Sequence, residues 1–222
     1  MCRLILPRGI VVKQFDDSKR VKIPQMFERF TPNRFNGYVQ FDFDVDAGVV
    51  CFQNGYIVAV LFEHGATRIC GNEALLELFR ALHRDAGVIK VYRVESELVP
   101  FLERMCHGLL EARGQLVRYL DTERLLTYLE HEQFDGCIRV YTSTEADLLF
   151  YRGGCAVGFF PDGASSLQDH LDIAHSLARD PGCRYDLIRT AEIAQDAVTS
   201  LNLKYDINLE KEWLMTWREF NM

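Results

Sequence analysis

From Gly37 to Asp44 apolar and polar residues alternate, with Val39, Phe41 and Phe43 set against Gln40, Asp42 and Asp44. Period two marks a strand with one buried face, because successive side chains point to opposite sides of a sheet. The pattern returns where Ile138 and Val140 flank Arg139, and Arg139 is expected to point to water. Three consecutive strands are predicted over 36–44, 48–53 and 55–62, and again over 135–142, 147–152 and 154–160. A leading strand is predicted at Ile10–Phe15 and at Gln115–Leu120, each followed by a short helix. Pro24 suits the first turn of the earlier helix, and Asp121 or Thr122 suits the N-cap of the later one. Leu75, Leu78, Phe79 and Leu82 share one face of a helix predicted over Glu73–His83. Leu171, Ala174, Leu177 and Ala178 do the same over Leu167–Ala178. A last strand follows Gly87 and Gly182.

These elements are two copies of one unit. Phe35-Asn36-Gly37-Tyr38-Val39-Gln40-Phe41 lies over Phe134-Asp135-Gly136-Cys137-Ile138-Arg139-Val140, a spacing of 99 positions. The spacing holds without a gap through Ala59 and Gly158. Beyond it, Arg84-Asp85-Ala86-Gly87 lies over Arg179-Asp180-Pro181-Gly182 at a spacing of 95, and Gly9–Asp16 matches Gly114–Asp121 more weakly. The shared positions are those where backbone geometry is demanding. Gly37 and Gly136 open matched strands, while Asn54-Gly55 and Gly153-Gly154 fall between apolar runs, as a tight hairpin with positive φ requires.

Between the copies, Leu98, Phe101, Leu102, Met105, Leu109 and Leu110 recur at helical spacing, and Gly114 suits the end of a helix. The expected organisation is a first unit over 1–95, a connecting helix over 96–113, a second unit over 114–190 and a helical extension over 191–222. The fold class is α+β, with two pseudo-symmetric β-α-β-β-β-α-β units whose antiparallel sheets pack with helices. No low-complexity linker separates the units, so they are expected to pack together about a pseudo-twofold axis.

Composition narrows the function. Apolar residues make up 48% and charged residues 26% of 222 residues, as in ordinary globular domains. The formal charge of -7 repels a phosphate backbone, which disfavours a nucleic-acid partner. The stretch Met1–Gln14 is too short and too charged for a signal peptide or a membrane span, so cytoplasmic residence without membrane attachment is expected. Seven widely spaced cysteines without a CxxC pair fit reduced thiols.

Candidate chemistry is thin. Asp42, Asp44 and Asp46 resemble part of a calcium loop, but the glycine falls at Gly48, one place late, and Gln53 stands where a bidentate glutamate belongs. Cys70 precedes a helix whose amides can activate a thiol, and His64 lies nearby; otherwise Cys70 is a small residue ending a loop, with Asn72 capping the helix. His170 and His175, with Asp169 and Asp172, are five apart on a helix and too divergent in direction to share one ion. Gly153–Gly158 lacks the GKS/T ending of a phosphate loop. No catalytic residue, metal or cofactor is expected. Trp213, Trp217 and Phe220 form an i, i+4, i+7 stripe after Asn208, suited either to packing on the chain's own core or to a partner's groove.

Phe35, Gly37, Val39, Phe52, Gly55, Ala59 and Gly87 in copy one, with Phe134, Gly136, Ile138, Tyr151, Gly154, Gly158 and Gly182 in copy two, make a pattern that resembles a bacterial domain of unknown function found at the N-terminus of PatA-like response regulators. Copy two departs from it at Pro161-Asp162-Gly163. The resemblance implies a non-catalytic interaction or scaffolding module in signal transduction or motility control, with a response regulator or small GTPase system as partner, and it brings no catalytic residues. A homodimer is a further expectation. The alternative is a sensor that binds a small ligand, such as a nucleotide, between the two repeats.

Overall fold

The computed structural model describes residues 6–169, 180, 182–190 and 208–221. In copy one, β1 (Ile10–Phe15) leads through α1 (Ile23–Glu28) to β2 (Gly37–Asp42), β3 (Asp46–Gln53), β4 (Tyr56–His64) and β5 (Thr67–Cys70), then α2 (Gly71–Arg84) and β6 (Val88–Arg93). A connecting helix, α3 (Val99–His107), leads to copy two: β7 (Leu109–Leu116), α4 (Thr122–His131), β8 (Gly136–Tyr141), β9 (Ala146–Arg152), β10 (Cys155–Phe160) and β11 (Arg184–Arg189). The C-terminal helix α5 covers Leu209–Asn221. The class is α+β, with two antiparallel sheets, ordered β1-β6-β2-β3-β4-β5 and β10-β9-β8-β11-β7. Read from its leading strand, the second sheet has the same order as the first, and among the described residues a single bridge between Phe159 and Gln168 stands in the place of β5.

The repeat extends to individual pairs. Gly37 faces Phe52 and Asp42 faces Ala47 between β2 and β3; Gly136 faces Tyr151 and Tyr141 faces Ala146 between β8 and β9, each residue displaced by 99. Even the irregularity recurs. Val58 is the extra residue of a bulge between β3 and β4, and Val157 is its counterpart between β9 and β10. Asn54 and Gly55 both have positive φ, as do Gly153 and Gly154, which matches the twist of a two-residue hairpin. The Gly55 N–H donates to the Phe35 carbonyl and the Gly154 N–H to the Phe134 carbonyl. A Cβ on Gly37 would overlap the Tyr92 carbonyl, and one on Gly136 the Ile188 carbonyl.

Three sequence-based expectations are corrected. The connecting helix is shorter than 96–113: it ends at Gly108, and Leu109–Leu116 is the leading strand of copy two rather than Gln115–Leu120. Gly9 therefore corresponds to Gly108, while Gly114, at φ 65, sits within β7 where its pairing with β11 shifts. The final strands match at 96, not 95. Gly37 faces Arg93 as Gly136 faces Arg189, and the carbonyls of Gly87 and Cys183 accept from the N–H groups of Ser18 and Val117. The helix expected at Leu167–Ala178, with His170, Asp172 and His175, falls for the most part outside the described residues.

The largest correction concerns the polar face of the strands. Gln40 and Arg139 are both 0% exposed. One face of the first sheet carries Val39, Phe41, Val50, Phe52 and Val60 beneath α1, α2 and α5. The corresponding face of the second carries Ile138 and Leu187 with Leu129 of α4. The opposite faces meet: Tyr38, Val49, Cys51 and Tyr92 share a core with their counterparts Cys137, Leu148, Phe150 and Ile188, closed by Leu102, Met105 and Cys106 of α3. Equivalent faces thus pack on one another, and burying each large apolar side chain contributes about 1.5–3 kcal/mol. Strands buried on both sides leave no wet face for Arg139.

Candidate functional site

The seam between the sheets holds a charged cluster inside apolar surroundings. Arg139 on β8 and Asp186 on β11 are directly opposed in the ladder, and both are fully buried. Asp186 Oδ2 accepts from Arg139 Nε at 2.9 Å and from Nη2 at 2.5 Å; Oδ1 accepts from the Gly114 N–H at 2.6 Å and from the Tyr141 hydroxyl at 3.2 Å. Glu63, at the end of β4 in the other copy, reaches Arg139 Nη2 at 3.4 Å, Arg68 Nη1 at 2.6 Å and Arg113 Nη2 at 3.4 Å. Burial pushes the Glu63 carboxyl up, but Arg139, Arg68 and Arg113 outweigh it and hold the pKa at about 2. Burial also opposes charge on Arg139, yet Glu63 and Asp186 keep it firmly protonated.

This cluster opens into a cavity of about 550 Å³ lined from both copies by Val45, Asp46, Glu63, Arg113 and Arg184 among others. Its acids are engaged. Asp46 pairs with His64 and, at 2.6 Å, with Arg84. Asp162, 99 positions after Glu63, accepts from the backbone and guanidinium of Arg8, so each of these two matched acids is held by an arginine of the other copy. Asp147, beside Asp162 and Glu145, has its pKa raised, chiefly by burial.

The residues singled out from sequence fall in separate places. Cys70 is exposed and precedes α2 without a side-chain cap; Asn72 lies inside the first turn rather than capping it. Burial raises the Cys70 thiol despite Arg68 nearby, the opposite of an activated nucleophile. His64 does not pair with it. Cys70 lies opposite Leu61 and His64 opposite Thr67, three ladder places apart or about 10 Å. Asp42 pairs with Lys90 at 2.9 Å, so two of the three carboxylates that resemble a calcium loop hold cations of the chain. Among the described residues, no group of three His, Cys, Asp or Glu side chains is placed to hold a metal ion. No helix among them is long and apolar enough to cross a membrane.

The aromatic stripe divides. Asn208 caps α5, its side chain accepting from the Lys211 N–H at 2.9 Å. Trp213 packs edge-on against Phe79 at 5.1 Å between ring centres and lies 4.2 Å from His83, while Arg80 holds Glu219 at 2.8 Å. Trp217, Phe220 and Leu214 stay 47%, 45% and 51% exposed. Packing on the chain's own core therefore accounts for Trp213. The charged seam went unseen in the sequence, although one signal was present: single charges, Arg139 and Asp186, interrupt apolar strands.

A family model described as an uncharacterized protein conserved in archaea (DUF2226) matches residues 4–105, which take in copy one and most of α3 and make up somewhat less than half of the chain. No curated protein and no solved structure matches it. The resemblance to the bacterial domain of PatA-like response regulators is overturned by this match. The glycines that carried it answer to hairpin geometry, which unrelated sheets share. What the chain is similar to, over its first copy and connecting helix, is the archaeal family.

Proposed function

We propose that this chain is a non-catalytic protein-interaction or scaffolding module of the cytoplasm. The observation that carries the reading is the aromatic stripe of α5, where Leu214, Trp217 and Phe220 remain about half exposed, although Phe220 also lies 6.4 Å from the His83 ring, on a helix anchored by Trp213 and the Arg80–Glu219 pair. Large aromatic side chains on a firmly seated helix are the usual anchors of an interface. The charged seam supports the same reading, because its acids and arginines are spent on each other. The free thiols among the described residues are compatible with a reducing compartment. With the bacterial resemblance removed, the response-regulator or small-GTPase partner has lost its support. The test compares proteins retained from the native cell by the immobilised chain and by Trp217→Glu/Phe220→Glu. At least one partner should be retained by the first and lost from the second; identical sets would contradict the proposal.

A second reading, a small ligand bound between the repeats, is favoured by the 550 Å³ cavity lined from both copies. A ligand present at about 100 times its Kd would raise stability by roughly 2.7 kcal/mol. A thermal-shift panel of metabolites, nucleotides included, tests this: a rise that Arg113→Ala abolishes supports it, and a flat panel counts against it.

A further inference from the structure

The first sheet ends at β1, which among the described residues has no strand on its outer side. An edge strand directs alternate N–H and C=O groups outward, and proteins ordinarily guard such an edge with charge, proline or a cover. This one is apolar: Ile10, Val11 and Val12 are 52%, 59% and 49% exposed. The other sheet treats its edge differently. There β7 shifts its pairing more than once, against a single bulge at Val12 in β1, and carries Glu111, Arg113 and Gly114.

Alongside β1 runs a groove of about 390 Å³ between the strand and α1. Its floor is Val12, Phe15, Val21, Met26, Phe30 and Val91. Its rim is Lys13, Arg20, Lys22 and Arg29, with no carboxylate in the lining, although Asp17 outside it pairs with Arg20 at 3.1 Å. A concentration of four cations is notable in a chain of formal charge -7.

We infer that the β1 edge and its basic groove dock an extended acidic segment of a partner protein, which adds to the sheet as a further strand. The backbone edge provides pairing without sequence preference, the apolar floor takes alternate side chains, and the cations on the rim select acidic residues between them. This deepens the interaction-module reading and rests on it, through a surface distinct from the exposed residues of α5. A second copy fits less well, because its own β1 would bring Lys13 against an already basic rim.

The probe is a fluorescein-labelled octapeptide alternating valine and glutamate, read by anisotropy with the full chain. Two further peptides replace glutamate with lysine or place two prolines at the centre. The glutamate peptide should bind, at least tenfold more tightly than either of the others, and its binding should weaken at least tenfold in Lys22→Gln/Arg29→Gln and with added salt. Hydrogen exchange should slow in residues 10–15 on binding. Failure of the glutamate peptide to bind, peptides that bind within twofold of one another, or protection confined to other segments would each overturn the inference. So would a dimer in sedimentation that Val11→Lys dissociates, since a second copy would then hold the edge. Trp217→Glu/Phe220→Glu should bind the glutamate peptide as the unaltered chain does. Identical sets of retained proteins with peptide binding intact would therefore strike the module reading, and an α5-dependent partner without peptide binding would strike this one.

Discussion

Arg139 and Asp186 face each other across β8 and β11, each sealed from water and joined through Nε at 2.9 Å and Nη2 at 2.5 Å to a single carboxylate oxygen. The same ladder place in copy one holds Gln40 opposite Lys90, where Lys90 instead reaches Asp42. One copy has thus placed at its centre an ion pair that the other lacks, and Glu63 of the first copy leans onto it from across the seam. Removing two charges from water is costly, and the pair persists because its remaining hydrogen-bonding capacity is met by Gly114 and Tyr141.

Breaking that pair from one side is expected to be severe. Arg139→Ala leaves Asp186 buried with its charge uncompensated and should cost about 3–5 kcal/mol in urea unfolding. Arg139→Leu/Asp186→Leu should recover part of the loss, with a coupling of about 1–3 kcal/mol between the two sites. Additive single losses would mean that the two side chains do not act as a pair.

Acid should weaken the seam through Glu63. Its folded pKa of about 2 lies below its ordinary value of 4.5, so its contribution is present above the unfolded value and is lost as pH falls from about 5 to about 2. The shift corresponds to roughly 3 kcal/mol. Unfolding free energy measured across that range should drop, and Glu63→Gln should flatten the drop.

Asp147 should behave with the opposite sign. Burial and the neighbouring Asp162 and Glu145 raise its pKa, so the folded state favours the protonated form and ionisation weakens it. Asp147→Asn keeps an oxygen to accept from the Asp162 N–H and should raise stability at pH 7. The gain should vanish at pH 3; a loss at pH 7 would show that the carboxylate charge stabilises the fold.

The hairpin turns carry the most local prediction. Gly55→Ala and Gly154→Ala should each cost at least about 1–2 kcal/mol, because a left-handed backbone penalises Cβ, and that Cβ would also crowd the backbone of Thr31 or Glu130. Asn54→Gly should be tolerated, since Gly153 occupies that place in copy two with nearly the same φ. Equal effects at Asn54 and Gly55 in thermal unfolding would refute the turn geometry.

What could be read without coordinates follows from how locally each feature is determined. The hairpins at 54–55 and 153–154 were legible because positive φ selects for glycine and asparagine residue by residue. Strands β2 and β8 were legible because their alternation repeated at one spacing, and β3 and β9 because the same spacing carried Val50 and Phe52 onto Leu149 and Tyr151. The boundary between α3 and β7 was not, because Leu109 and Leu110 satisfy a helical period and a strand equally and Gly114 offered a false stop. Nor was the fate of Arg139: alternation assigns it to the other face of β8, but says nothing of what covers that face. The groove beside β1 was hidden for a similar reason, since Lys13, Arg20, Lys22 and Arg29 gather only when β1 and α1 pack.

The claim on which the rest depends is that equivalent faces of the two sheets are pressed together, and the cysteines report on it directly. Cys51, Cys106 and Cys137 lie in the seam, whereas Cys70 and Cys155 are exposed. Alkylation of the native chain at mildly alkaline pH, mapped by mass spectrometry, should modify Cys70 and Cys155 and spare the three seam thiols until the chain unfolds. Modification of native Cys51 and Cys137 at the rate of Cys155 would show that water reaches the face carrying Arg139, and that the two copies do not meet through it.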